Sequence, residues 1–330
     1  NTQEGTLLMA TILWTRDRRQ DAINLIAQTL EKTPPAARSP MFNALTRYLR
    51  ENGELVQARQ VASQWMLNNS MQVQPRVEYL HLLNAEKDYD YEKRYANQTL
   101  AMFSNDQNAL LLLANYATAK GHIDLVRRIY ERAVENEFDI SPFTLLLVEA
   151  YIAAGDFQGA IAFIEDIDNE KPAWLLRQEE LFDSLKAVAY YGANNMEMST
   201  MFLNKFLSAR SLRVENLLAI ADRMEKLGGL DQARRILANA YEKNPENQIV
   251  LTRLTSLDLR LGNSEGLSEH LLALIKMRRP SSRLMTESYR ALSSDRFIFV
   301  KDRDKLIDAV LATIERAQGT EKVHELTAEE

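Results

Sequence analysis

A helical hairpin between Val214 and Pro245 recurs with a period of 34 residues along most of the chain. In its first helix, Leu217, Ile220 and Met224 follow the three- and four-residue spacing of a buried helix face. Gly228 suits the left-handed conformation that ends a helix, and Pro245 closes the second helix because proline cannot continue one. Such a hairpin leaves one apolar face uncovered, so neighbouring copies must stack on one another.

The turns between the two helices of each hairpin keep a common register. Gly228 and Gly262 are 34 residues apart, as are Gly121 and Gly155. The predicted turn residues are Gly53, Lys87, Gly121, Gly155, Asn194, Gly228 and Gly262. Between Gly155 and Asn194 the spacing is 39 residues, and we expect the extra residues, near KPAWLLRQEE, to lengthen a second helix or a loop.

A small residue commonly follows five positions after each turn, where the second helix is expected to pack most closely. Ala58, Ala160, Ser199 and Ala233 stand at this position. Glu92 stands at the equivalent place in the third hairpin and does not fit the pattern.

The fifth hairpin carries the repeat pattern most completely. Val148, Tyr151, Gly155, Ala160 and Pro172 occupy its small, aromatic, turn, small and closing positions. This pattern resembles the tetratricopeptide repeat over roughly residues 3 to 280. The resemblance implies an all-α fold, a right-handed αα superhelix of about eight helical hairpins. We expect a repeat solenoid over 1–280, a C-terminal closing helix pair over 281–318 and a polar, disordered tail over 319–330.

Composition narrows the possible functions. The 330 residues carry a net charge of −6, which argues against a nucleic-acid partner because nucleic-acid binders usually present a basic face. The chain has no cysteine, which removes disulfides, thiolate metal sites and cysteine nucleophiles. The absence of cysteine slightly favours a location in the bacterial cell envelope, although the cytoplasm and the periplasm are both compatible with it. No apolar run approaches the ~18 residues of a membrane span.

The sequence contains no pattern typical of catalysis. No nucleophile elbow, Walker loop or dinucleotide fingerprint occurs. The four histidines, His81, His122, His270 and His324, are scattered over different hairpins without a second ligand at metal-binding spacing. We therefore expect no metal, no cofactor and no enzymatic activity.

The resemblance places the binding site on the first helices, which line the inner surface in this family. One inward position is mostly polar and holds Thr11, Arg47, His81, Asn115, Glu149, Val188, Asp222 and Ser256. A neighbouring position holds Leu7, Asn43, Val77, Leu111, Leu145, Ser184, Leu218 and Thr252. We select as candidate partner-binding residues Arg47, His81, Asn84, Leu111, Asn115, Leu145, Glu149, Tyr191 and Asp222.

Two binding modes of the family are not supported. The carboxylate clamp of chaperone-binding members requires a lysine four residues before its asparagine, where this chain has Leu111 before Asn115. The asparagine ladder of the sugar-transferase arm is also missing, since its positions hold Ala44, Glu78, Leu112, Leu146 and Leu185.

The sequence predicts a non-catalytic protein–protein interaction scaffold that binds a peptide or partner helix. One alternative is the excised repeat arm of a larger enzyme, or of a bacterial exopolysaccharide or secretion assembly, which recruits a catalytic partner. A carbohydrate-binding module is a further alternative, for which only Trp14 and Tyr191 offer aromatic rings in the groove. The identity of the partner and the oligomeric state do not follow from the residues.

Overall fold

The helices of the chain form successive antiparallel hairpins. The computed structural model describes residues 3–209, 212–277 and 280–326, with side chains as far as residue 317. The chain divides into two compact units, Asn1–Ile164 and Glu165–Glu330, with the division falling inside one helix. None of the described helices is both long enough and apolar enough to cross a membrane.

The first unit contains four complete hairpins and most of a fifth. Its helices are α1 (Gln3–Thr15), α2 (Arg19–Lys32), α3 (Ser39–Glu51), α4 (Leu55–Asn68), α5 (Gln74–Ala85), α6 (Tyr89–Met102), α7 (Gln107–Ala119), α8 (Ile123–Glu135), α9 (Ser141–Ala154) and α10 (Phe157–Glu170), the last of which crosses the division. The first helices α3, α5, α7 and α9 pack side by side, each against the next.

The second unit contains three hairpins and a closing pair. Its helices are α11 (Leu175–Gly192), α12 (Met196–Leu207), α13 (Val214–Lys226), α14 (Leu230–Lys243), α15 (Gln248–Leu261), α16 (Ser264–Ile275), α17 (Ser282–Leu292) and α18 (Arg303–Leu326). The predicted all-α class, with eight hairpins and a C-terminal closing pair, is therefore confirmed in the described residues. Leu284, Met285, Phe297 and Val310 of the closing segment pack on the core of the eighth hairpin.

All seven predicted turn residues adopt the left-handed conformation. The five glycines have φ between 66° and 83°. Lys87 and Asn194, the two positions where the turn carries a side chain, have φ of 63° and 60°. A left-handed asparagine is common, whereas a lysine costs more because its Cβ crowds the backbone. The position of Lys87 in the 34-residue repeat therefore requires a left-handed backbone conformation that lysine does not favour.

The close-approach position five residues after each turn is buried throughout. Ala58, Ala160 and Ala233 are fully buried, and Ser199 is 2% exposed. Glu92 is also buried, at 3% exposure, although its side chain is large and ionisable. The third hairpin must therefore satisfy this carboxylate with hydrogen bonds.

The extra residues between the fifth and sixth turns lengthen a first helix, so their predicted place in a second helix or loop was wrong. The second helix α10 has 14 residues, the same length as α4 and α14. The first helix α11 has 18 residues and takes up most of KPAWLLRQEE, starting at Leu175. Phe182, Leu185 and Val188 form the buried face of its C-terminal part, whereas the added N-terminal residues, 175–180, are exposed or half-buried.

The backbone at the C-terminus continues as helix beyond the predicted boundary at residue 318. Helix α18 runs to Leu326, so residues 319–326 of the expected polar tail are helical. The remaining tail residues, 327–330, lie outside the described residues.

Candidate functional site

The predicted polar row lies on neighbouring first helices of the first unit. Arg47 is on α3, His81 on α5, Asn115 on α7 and Glu149 on α9, each 34 residues from the next. Because these helices pack side by side, equivalent positions follow one another across the unit. The structure therefore places four of the predicted residues at equivalent positions of adjacent first helices.

Arg47 and Asn115 are the exposed members of this row. The Arg47 guanidinium lies 5.1 Å from the centre of the Tyr48 ring and 4.0 Å from the Glu51 carboxylate. Such an exposed ion pair contributes little to stability, so the guanidinium is available to a partner at small cost. The Asn115 Nδ2 donates to the Leu111 carbonyl at 2.7 Å, and its Oδ1 forms no hydrogen bond with a described residue.

His81 is half-buried between the two exposed members. Its ring contacts the Tyr116 ring edge-on, with 4.7 Å between the ring centres. Burial, together with the positive charges of Arg50 and Lys120, lowers the pKa of His81 to about 4. His81 is therefore uncharged at neutral pH and can offer a hydrogen bond but no charge to a ligand.

A second line of apolar side chains runs beside the polar row. Leu111 and Leu145, the predicted apolar members, are half-buried, and Leu112 is 39% exposed. This part of the first unit therefore offers hydrogen-bonding groups and partly accessible leucines on adjacent helices.

Asn84 belongs to a buried polar cluster and is less accessible to a partner. Its Nδ2 donates to Glu92 Oε2 at 3.0 Å, and its Oδ1 accepts from the Lys120 ammonium at 2.6 Å. Both polar ends of the amide are thus occupied inside the protein.

Glu92 is the centre of that cluster, which we call the Glu92 hub. Its Oε1 accepts from the Tyr116 hydroxyl at 2.6 Å and lies 2.9 Å from Nε2 of His122. Together with Asn84, these contacts join the third hairpin to the fourth. Burial and the hydrogen bond to Glu92 raise the pKa of Tyr116, which keeps the hydroxyl protonated as a donor.

The sequence contained one signal for the Glu92 hub. Glu92 breaks the small-residue pattern, but its partners are 8, 24 and 30 residues away, too far apart to be recognised as a motif. The equivalent alanine in the second hairpin, Ala58, gives no such cluster because it has no polar side chain.

The two predicted residues of the second unit are both engaged in internal contacts. A Cβ atom on Gly229 would lie 2.9 Å from the Tyr191 ring, so this ring packs closely on the turn of the next hairpin. Asp222 forms an ion pair with Lys226 at 2.7 Å and lies 3.7 Å from Arg253.

The aromatic rings required by the carbohydrate alternative are used in packing. Trp14 stacks on Tyr48 with 4.4 Å between ring centres, and the Arg19 guanidinium covers Trp14 at 5.3 Å. Tyr191 packs on Gly229, so both rings contact other residues of the protein.

A second buried polar cluster, the Asp258 hub, lies in the eighth hairpin. Asp258 is fully buried. Its Oδ1 accepts from Arg234 at 2.6 Å and from Asn263 at 3.1 Å, and its Oδ2 lies 2.5 Å from Nδ1 of His270. The carboxylate thus ties α14, α15 and α16 together. No group of three or more His, Asp or Glu residues in the described part of the chain is arranged to hold a metal ion.

Gly266 leaves room for the Asp258 hub. An added Cβ would lie 2.6 Å from the Arg234 guanidinium and 2.8 Å from Asp258 Oδ1. We expect Gly266→Ala to destabilise the protein by about 1 to 3 kcal/mol, despite the better helix propensity of alanine, because the buried network must shift. Urea unfolding measures this. In an Asp258→Ala background the same change should cost clearly less, and equal costs in both backgrounds would contradict the clash.

Comparison with known proteins gave matches among solved structures only. No protein-family model matches the sequence, and no curated protein matches it. The chain is similar to the crystal structure of a tetratricopeptide repeat protein from Parabacteroides merdae ATCC 43184, at 10% identity over 77% of this chain and 97% of that chain, with a TM-score of 0.42. It is also similar to a chain of the APC/C hetero-tetramer Cut9-Hcn1, at 14% identity over 94% of this chain and 56% of that chain, with a TM-score of 0.36.

At these identities and TM-scores, the two alignments carry no argument about function. The assignment of an all-α array of helical hairpins rests on the chain's own helices and turns. The first of the two similar structures is, by its description, a member of the family that the sequence resembles.

Proposed function

We propose that the chain is a non-catalytic interaction scaffold that binds a peptide or partner helix along the first helices of its first unit. The observation that supports this most is the polar row of Arg47, His81 and Asn115 on three neighbouring helices. Arg47 and Asn115 are exposed and make only local contacts, so the core does not account for them. Two exposed members of a repeated position, beside partly accessible leucines, suit an extended ligand.

The chemistry of this surface favours an amphipathic ligand. Asn115 and the neutral His81 can bond peptide or side-chain polar groups, and Arg47 can pair with a carboxylate. Leu111, Leu112 and Leu145 can bury apolar side chains of the same ligand. We expect the bound segment to alternate polar and apolar contacts along its length.

An affinity pull-down with the purified chain tests this proposal. The Arg47→Ala/Asn115→Ala variant removes one guanidinium and one amide from the row, and both sites are exposed, so the fold should be unaffected. We expect a protein that is retained by the wild-type chain from lysate of its source organism to be lost with this variant.

The matched control is Arg94→Ala/Gln98→Ala, which removes the same two chemical groups from exposed positions on the second helix α6. This control should retain the partner at the wild-type level. Equal retention by all three proteins would place the binding surface elsewhere on the molecule.

A further inference from the structure

A cavity of about 540 Å³ lies in the first unit between the second helices α6 and α8. Ala96 and Leu125 are its buried apolar lining, and the Tyr151 ring reaches it from α9. Its volume falls within the range of small-molecule binding sites, which is about 300 to 1,000 Å³. The cavity belongs to the second helices, so it is independent of the first-helix row proposed above.

The cavity lies beside helix α6, which packs loosely on the fourth hairpin. Helix α6 packs only marginally on α7, whereas α4 packs closely on α5 and α8 on α9. At the position where α4 has Ala58, helix α6 carries Glu92, whose carboxylate is held by Asn84, Tyr116 and His122.

Besides the buried Glu92, which is engaged in its own hub with His122, the exposed charged side chains around the cavity are separated into an acidic and a basic end. The acidic end lies at the helix turns and holds Asp90, Asp124 and Asp156. The basic end lies one helical turn further along and holds Lys93, Arg127 and Arg128. Three to four residues of helix separate the two ends by about 5 to 6 Å. The spacing would allow ion pairs within each helix, but none of the six forms one with another residue of the described chain.

Several of these groups are held in place by other contacts. Asp156 accepts from the Gly159 backbone N–H at 2.9 Å, and the Arg127 guanidinium donates to the Tyr151 hydroxyl at 2.5 Å. Arg128 donates to the Asp124 backbone carbonyl at 3.2 Å. The charges are therefore partly ordered at their two ends, and Asp124 and Arg127 interact electrostatically along α8 without forming an ion pair.

We propose that this cavity binds a small zwitterion, a dipeptide with free termini, with its ammonium group at the aspartates and its carboxylate at the arginines. Two extended residues span about 7 Å, which suits the separation of the two ends once the side chains reach inwards. The apolar lining accommodates an aliphatic side chain. A free amino acid is too short to reach both ends, and a ligand with one charge leaves one end unpaired.

Isothermal titration of the full chain at low ionic strength with alanyl-leucine tests the proposal. We expect one binding site with a dissociation constant below about 1 mM. N-acetyl-alanyl-leucine lacks the ammonium group and alanyl-leucine amide lacks the carboxylate. Each should bind at least about tenfold more weakly, because one end of the cavity loses its counter-charge.

Variants of the two ends identify the site. Asp124→Asn should weaken alanyl-leucine about tenfold without further weakening the N-acetyl form, and Arg128→Gln should do the same relative to the amide. Arg94→Gln, on α6 outside the cavity, is the control and should leave binding unchanged. Equal affinity for capped and free dipeptides, full binding by both cavity variants, or no heat up to about 10 mM ligand would overturn the proposal.

Discussion

Asp258→Ala is expected to lower the free energy of unfolding by about 3 to 5 kcal/mol. The carboxylate is fully buried, and it is the acceptor for Arg234, Asn263 and His270. Its removal leaves a partly buried guanidinium and a buried imidazole without their partner, which costs more than the pair itself contributes. Urea unfolding, followed by circular dichroism, measures the loss.

Hydrogen exchange should locate this effect. We expect faster exchange in α15 and α16 of the Asp258→Ala variant, since the hub joins these helices. Asp231→Ala removes an exposed carboxylate from α14 and is the control, with an expected change within about 0.5 kcal/mol. If the two variants unfold at the same urea concentration, the hub does not hold the eighth hairpin together.

Glu92→Ala is expected to destabilise the protein by about 3 kcal/mol. The structure and the repeat pattern predict different results for this variant. The repeat pattern has alanine at this position and therefore predicts that the change is tolerated. The structure predicts a loss, since Asn84, Tyr116 and His122 all direct polar groups at the carboxylate. Thermal unfolding of the two proteins compares them directly.

Glu92→Gln is the matched variant, because it keeps the shape and one acceptor oxygen. We expect it to lose less stability than Glu92→Ala, since some of the three contacts survive. Glu131→Ala, at an exposed position of α8, controls for the loss of a negative charge. An increase in stability on Glu92→Ala would show that the small residue is preferred and that the hub contributes nothing.

The architecture could be predicted from the sequence because the same hairpin pattern recurs at a regular period along most of the chain. A single turn such as Lys87 carries no helix-ending signal of its own, but its distance from Gly53 and Gly121 fixes its place, and the structure confirms its left-handed conformation. Asn194 follows the same logic. The length of α11 was not predictable in this way, because an insertion interrupts the period and both a helix and a loop satisfy the spacing.

The candidate site could be predicted only in part, because the repeat period and the hydrophobic pattern do not reveal which polar side chains form hydrogen bonds with one another. Arg47 and Asn115 lie exposed in the predicted row. Asn84 stands one helical turn from His81 and looks equivalent in the sequence, yet it bonds Glu92 and Lys120. Such contacts join residues from different hairpins, and a single sequence does not record the pairs.

The Glu92 hub also limits how the chain can be recombined. Repeat arrays lengthen and shorten by duplicating or deleting whole hairpins, which works when each hairpin presents interchangeable surfaces to its neighbours. The third hairpin contributes a buried carboxylate, and the fourth contributes the Tyr116 hydroxyl and the His122 ring that bond it. A duplicated or transplanted third hairpin would carry that acid into a neighbour without the donors. Hairpins three and four therefore form a single module for design, to be copied or deleted only as a pair.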